Sequence, residues 1–426
     1  MPEYRRLALP TEQAKSLPEK DSSALIGRIF KAFQFRDFRL MWTGACTSQI
    51  GTQMQTAAQS WLVYDLSKHS SVFLGLDNFL GTLPIVLFSL VGGVFADRHD
   101  RRKVLLGSQY VQTVCAFLLA ALVFTGVVHV WHVLCLSVVV GMAQSFGGPA
   151  YSALFPSLVP KEHLQNAISL NSIQFNLARV IGPALGGIAL IKLGAAWNFT
   201  FNGISFVGVI ITLYLIQTTF IPAKSREPIM TSMKEGIRFM RQQPGMESLI
   251  ALAFLMTTLG FPVIIFLVVF AEEVFKGGTQ TFTWLLCSSG AGAVTGALIA
   301  AGGRQKRKGL AALIMLAALG LFTMAFAQSP STPVACAMLF LAGASLMGVF
   351  SMITTLVQMI IPDNMRGRVM SVYNLALRGG GPVGSLLVGT IMIPRFGAPL
   401  TFTIAGALEI LLAIYFLTVN RRVAVL

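Results

Sequence analysis

A chain of 426 residues that is 54% hydrophobic and only 12% charged cannot cover a globular surface with polar groups, which takes roughly 25% charged residues. The formal net charge of +15, from 32 lysines and arginines against 17 acids, would suit a nucleic-acid binder. The basic residues fall instead in small clusters between apolar runs, along no single face or helix, and that excludes the class.

The 38 residues that open the chain are polar and carry no apolar core. They predict a cytosolic tail with no cleavable signal peptide, and an interfacial helix around 25–35. Apolar runs of membrane-crossing length follow at 40–64, 72–96, 104–128, 131–154, 164–191 and 195–216. A polar stretch at 217–247 separates these from 249–270, 281–301, 310–327, 334–361, 369–393 and 400–419. The run 310–327, at 18 residues, is near the lower limit. Within the polar stretch, alongside Lys224, Arg226 and Glu227, the residues Met233, Ile237 and Met240 share one helical face and predict an amphipathic helix lying on the membrane surface. The five cysteines sit inside apolar runs at unrelated spacings, so neither a disulfide framework nor a metal site is expected.

The expectation is an all-α membrane protein of twelve transmembrane helices in two six-helix bundles. The divisions are a tail at 1–38, bundles at 39–216 and 249–420, a linker at 217–248 and a C-terminal tail at 421–426. With both termini in the cytoplasm, 26 of the 32 basic residues fall inside and only Lys68, Lys192, Lys276 and Arg395 fall outside. That bias sets the orientation and implies a multi-pass protein of a bacterial-type plasma (inner) membrane.

The halves echo each other. Arg179-Val-Ile-Gly182-Pro183 in the fifth span and Arg378-Gly-Gly-Gly381-Pro382 in the eleventh both read R-x-x-G-P, 199 residues apart. Pro160 and Ser169 are answered by Pro362 and Ser371, and Arg101-Arg102-Lys103 by Lys306-Arg307-Lys308, at offsets of 202 and 205. Parallel repeats of six spans are a transporter architecture.

The turn between the second and third spans carries six charged residues in seven, Asp97 to Lys103. It resembles the signature loop of the major facilitator superfamily, with Gly93, Asp97, Arg98, Arg101 and Arg102 matching position by position. The second-half copy has Gly302 where Asp97 would be answered. Gly182-Pro183-Ala-Leu-Gly186-Gly187 resembles the core of that superfamily's antiporter motif, although Ala178 replaces its upstream glycine. The opening Phe35-Arg36-Asp37-Phe38-Arg39, with both R-x-x-G-P segments, resembles the enterobactin-exporter and macrolide-efflux branch. The resemblance implies export in exchange for protons. It also implies that the loop of Gly93, Asp97, Arg98, Arg101 and Arg102 latches onto the start of the eleventh span, near Gly367 and Arg368, in the outward-facing state. The alternative for Asp97 is a solvated topology charge.

Arg179 and Arg378 lie half way along their spans. An arginine at the bilayer centre costs about 2.5–3.5 kcal/mol on insertion scales, so neither faces lipid. They contact an anionic or carbonyl-rich substrate, or they lock onto helix carbonyls or an acid; Asn176 and Asn374 are their polar neighbours one turn back. Asp77 and Glu409 are the intramembrane acids available for proton coupling, or for neutralising the two arginines. Gln49, Thr52, Gln53, Thr56, Gln59 and Ser60 form a one-sided stripe that lines a cavity or joins helices. Gln144, Tyr151, Asn171, Gln174, Gln358 and Tyr373 are further lining candidates. Gly182, Pro183, Gly186, Gly187, Gly381 and Pro382 allow close helix approach, as packing or as a hinge or seal.

The function these features favour is a proton-driven exporter of amphipathic small molecules, drugs or a siderophore-like metabolite. It would be a secondary active transporter acting by alternating access as a monomer in the bilayer, without cofactor, metal or nucleic acid. An importer or lipid flippase of the same fold is the alternative, and a non-transporting receptor or scaffold the different class. No P-loop supports ATP drive within this chain, and His129 and His132 are too few for a metal-dependent enzyme.

Overall fold

The computed structural model describes residues 31–218, 229–302, 307–362 and 365–424. The expected interfacial helix before Lys31, the linker charges Lys224, Arg226 and Glu227, and Lys306 of the second basic loop lie outside the described residues. Helices α1 (Arg36–Leu66), α2 (Ser71–Arg98), α3 (Arg101–Phe124), α4 (Val130–Leu154), α5 (Leu164–Leu193) and α6 (Ala195–Leu215) come first. A short α7 (Ile229–Gln242) leads to α8 (Met246–Gly260), α9 (Gly278–Gly302), α10 (Lys308–Ala327), α11 (Thr332–Ile360), α12 (Arg366–Leu387) and α13 (Ile393–Thr418). Among the described residues, ten stretches are long and apolar enough to cross a membrane. The last of them, Gly367–Thr418, runs through both α12 and α13, with a break at Gly397 (φ +72°). Helix α1 is not among the ten although it is 31 residues long, because its polar stripe lowers its hydropathy. Large apolar side chains such as Leu87, Val114, Leu298 and Val419 are exposed on the outside, a surface that lipid covers.

Local chemistry sets the helix ends. Asp100 caps α3, its carboxylate accepting from the Arg102 backbone N–H at 3.0 Å. The apolar run 104–128 does not stay helical throughout. It stops at Phe124, where Gly126 takes a left-handed conformation (φ +70°). The run 249–270 is likewise not one helix. Pro262 interrupts α8, which continues as two short turns, Pro262–Ile265 and Leu267–Val269, and a π-helical turn at Phe270–Val274. Helix α12 also ends in a π-helical turn, Val388–Met392.

Packing repeats between the halves. Helix α2 packs on α4, α1 on α5 and α6, and α3 on α4 and α6; in the second half α9 packs on α11, α10 on α11 and α13, and α8 on α12. Across the halves, α2 meets α12 and α5 meets α9. Thus the second and fifth helices of one set pair with the fifth and second of the other.

The two ends of the molecule differ. At the end away from the Asp97 loop, one apolar core draws on both halves: Leu62, Tyr64 and Leu74 from the first pack with Phe266, Phe270 and Phe402 from the second. At the basic end the cores are separate, one within each half. The α2–α12 crossing shows the same divergence. A β-carbon on Gly75 would lie 2.5 Å from Ser385 O, and one on Gly379 4.0 Å from Val86 Cγ1, whereas Gly93 has nothing within 4 Å. Positions 75, 86 and 93 fall on one helical face, so the two helices splay apart toward the basic end.

Helix α7 does not present its apolar face to a membrane surface. Met240 is buried and Ile237 is packed in the second-half core. Gly236 lies against the Arg368 backbone, and Glu235 forms an ion pair with Arg368. The side chain of Met233, the third residue of the expected face, lies outside those described.

Candidate functional site: a cavity between the halves

A cavity of about 790 Å³ lies midway along the molecule between the halves. A second, of about 480 Å³, adjoins it toward the basic end, and Thr52, Ile85, Gln112, Gln144, Phe206, Asn374 and Arg378 line both. All six members of the α1 stripe reach these spaces: Gln49 the smaller, Thr52 both, and Gln53, Thr56, Gln59 and Ser60 the larger. The stripe exists because helical spacing puts these residues on one side of an otherwise apolar helix. Phe261, Phe282, Phe350 and Met347 add apolar wall from the second half. Gln144 and Tyr151 line the space as expected. The other lining candidates do not. Asn171 accepts a bond from Tyr151 Oη at 2.7 Å, Gln174 is fully buried, Gln358 is exposed away from both cavities, and Tyr373 is bonded to Thr354 at 2.8 Å.

Arg179 and Arg378 project into the larger cavity, one from each half, and Asn374 accompanies Arg378. Arg179 Nη1 donates to Met347 Sδ on α11 at 2.9 Å, across the halves. Asn176 donates to its own helix, to Ser172 O at 2.9 Å, and so does not partner Arg179. Among the described residues no ion pair joins either arginine to an acid, so mutual neutralisation with Asp77 and Glu409 is not how these charges are arranged.

Asp77 is held in a ring of side chains from three helices. Gln59 Nε2 on α1 donates to Asp77 Oδ2 at 2.8 Å and to Ser137 Oγ at 2.9 Å, and Ser137 Oγ on α4 donates to Asp77 Oδ1 at 2.6 Å. Gln59, Asp77 and Ser137 all line the larger cavity. Glu409 lies elsewhere. It is fully buried inside the second half, between Gly260 and Gly320, lines neither cavity, and neither of its oxygens has a hydrogen-bond partner among the described residues. Its position does not support contact with anything in the cavity.

The glycine–proline segments divide by role. Gly182 and Gly186 of α5 seat against Gln53 and Met54 of α1, within the first half, whereas Gly187 seats against Thr283 of α9, across the halves. Pro183, Gly381 and Pro382 line the larger cavity, and Gly381 faces Phe261.

At the basic loop, Arg101 Nη2 pairs with Asp97 at 3.4 Å and its Nη1 donates to Ala153 O at 3.1 Å. Arg102 Nη2 donates to Tyr214 O at 2.9 Å. These cations tie the loop to the C-terminal carbonyls of α4 and α6, where positive charge is favoured. Arg98 is exposed, and Asp97 keeps 42% of its side chain exposed. The close-packed glycine of the motif is not Gly93 but its neighbour Gly92, where a β-carbon would collide with Ser145 O of α4.

Sequence reasoning missed the contacts that close the far end. Tyr64 Oη at the end of α1 donates to Glu273 in the π-helical turn after α8. Ser71 Oγ at the start of α2 donates to Gly389 O in the π-helical turn after α12 at 3.0 Å. Trp61 packs on Phe282 at 5.7 Å. The interrupted apolar run around Pro262 and the acid pair Glu272-Glu273 were the available signals. Asp37, part of the opening segment that carries the branch resemblance, has partners that its sequence position did not reveal: it accepts from the backbone of Gln217 and Thr218 at 3.1 and 2.9 Å, fixing the exit from α6 to the start of α1.

The fold matches solved transporters. A crystal structure of a D-xylose–proton symporter superimposes with a TM-score of 0.70 at 14% identity, covering 89% of this chain and 97% of that one. At that identity the likeness shows the fold alone. Over residues 29–425 the chain matches the family described as transmembrane secretion effector, and it belongs to that family of major facilitator superfamily transporters. Among curated relatives, macrolide efflux protein A of Streptococcus pyogenes is 24% identical over 400 residues, covering 90% of this chain and 96% of the relative. The enterobactin exporter EntS of Salmonella choleraesuis is 27% identical over 337 residues, covering 75% and 77%. The chain is a multi-pass inner-membrane transporter of the efflux branch and not an enzyme.

Proposed function

We propose that this protein is a proton-coupled exporter of amphipathic small molecules, with its cavity open toward the cytoplasm in this conformation. The observation that carries the reading is the polar-and-apolar cavity between the halves, sealed by a joint core at one end and flanked by separate cores at the other. Alternating access exchanges which end is sealed. The reading takes twelve spans, counting α1 and dividing Gly367–Thr418 at Gly397. The charge bias supports a cytoplasmic side for both termini and the Asp97 loop. The domain division is bundles at 39–216 and 249–420, joined by the linker at 217–248.

Asp77 is the coupling carboxylate of this scheme. It borders the cavity, and the donors from α1 and α4 make its protonation state matter to helix packing. Protonation turns one Asp77 oxygen into a donor, so the hydrogen bonding with Gln59 and Ser137 must rearrange. Asp97 is the latch. The α2–α12 register, running from Gly75 near Ser385 to Val86 near Gly379, supports this reading, because continuing it to Asp97 leads to the start of α12. Gly93, clear of neighbours here, offers that helix room. The test compares the compounds excreted and retained by cells with and without the gene. The reading expects at least one amphipathic compound to shift from medium to cell when the gene is lost, and no shift in any compound would overturn it.

A further inference from the structure

The cavity's charges define what it accepts. Its ionisable carboxylate is Asp77, whose two oxygens are engaged by Gln59 and Ser137. Its cations are Arg179 and Arg378, contributed by opposite halves at equivalent positions of the R-x-x-G-P repeat. A guanidinium presents five donors. Among the described residues the hydrogen-bond partner of Arg179 is the Met347 thioether sulfur, and a thioether is a weak acceptor. Arg378 is exposed into the cavity, with no hydrogen bond or ion pair among the described residues. With Asp77 ionised the lining still carries one cation in excess. Cations at membrane depth need a counter-charge or an aqueous cavity.

Resting on the exporter reading, we infer that the substrate is an anionic amphiphile. Its acidic group, a carboxylate, lies between Arg179 and Arg378, and its apolar body lies along Phe261, Phe282 and Phe350. Because one arginine belongs to each half, the same anion holds both halves at the cavity. Bidentate guanidinium–carboxylate geometry makes the pairing selective for planar anions. Neutral molecules of the same shape lack the charge-assisted bonds. Cationic ones meet like charge, which costs affinity instead of adding it.

The test uses three probes that share one fluorophore: N-dansylglycine (a carboxylate), its methyl ester (neutral) and N-dansylethylenediamine (an ammonium). Binding to the detergent-purified full chain is read by energy transfer from its tryptophans. The inference expects the carboxylate to bind about tenfold or more tighter than the ester, the net worth of a hydrogen bond to a charged group, and the ammonium to bind weakest. Arg378→Gln and Arg179→Gln should each remove most of that preference, and Arg378→Lys should restore part of it. Equal binding of the three probes, tighter binding of the ammonium, or absence of carboxylate binding in the unmodified protein overturns the inference without reference to any variant. Carboxylate binding that is never followed by movement across a vesicle membrane would defeat the exporter reading and leave the substrate class standing.

Discussion

Replacing Tyr64 with Phe deletes one hydroxyl and, with it, the hydrogen bond to Glu273 that joins α1 to the π-helical turn after α8. A hydrogen bond to a charged acceptor contributes about 1.5–3 kcal/mol net when buried. Tyr64 is buried, but Glu273 is exposed, so its carboxylate regains water when the bond is lost and the figure falls to about 1–1.5 kcal/mol. The ring itself stays packed in the joint core, and Ser71 still holds Gly389. The loss therefore falls on the equilibrium between far-end-sealed and far-end-open states, by about five- to tenfold. The assay is labelling of Ser60→Cys, a cavity-lining position on α1, by a membrane-impermeant maleimide added from outside, corrected for the parent protein's own cysteines. Tyr64→Phe should raise the labelling rate about five- to tenfold, and Glu273→Gln should raise it less, because an amide still accepts. An unchanged rate in Tyr64→Phe would show that the bond does not hold the far end shut.

Three further outcomes follow from the same geometry. Asp77→Asn should leave the protein inserted and folded but remove the pH dependence of transport, read as compound movement in vesicles at several external pH values; a retained pH dependence would exclude Asp77 as the coupling group. Asp97→Asn should slow turnover while sparing insertion and probe binding, measured on the same vesicles and on detergent-purified protein; unchanged turnover would remove the latch. Gly92→Ala should lower the melting temperature, since its β-carbon meets Ser145 O and overpacking costs about 1–3 kcal/mol, while Gly93→Ala, with nothing within 4 Å, should melt as the parent does.

Much of the fold was legible because solvent dictates it. Lipid demands long apolar helices with satisfied backbones, and the apolar runs lie on helices close to their expected limits, apart from the early stop at Phe124 and the interruption around Pro262. The α1 stripe was legible for the same reason: six polar side chains on one face of an apolar helix need water or a polar partner, and all six found the cavity. Spacing alone could not say which isolated polar residues would find a partner instead. Tyr373 bonds Thr354 and Asn171 bonds Tyr151, and for the apolar Met240 the core takes the place of a membrane surface. The partners of Asp77 were equally hidden. Ser137 is a single hydroxyl in an apolar run, 60 residues from the acid it bonds. Pairings that cross the halves, such as Tyr64 with Glu273 at a separation of 209 residues, depend on which conformation the halves adopt, and no local pattern encodes that. Asp100 illustrates a smaller gap. Its place in a charged loop marks it only as a loop charge, yet it caps α3.

The central claim, export through this cavity in exchange for protons, is tested most directly by proton flux in everted membrane vesicles energised to an acidic interior. Compounds found in the medium only when the gene is present would be added one at a time. The account predicts that at least one dissipates the pH gradient in vesicles containing the protein and in none lacking it, and that Asp77→Asn abolishes the effect. A compound that accumulates in the vesicles with no change in the gradient would contradict proton exchange.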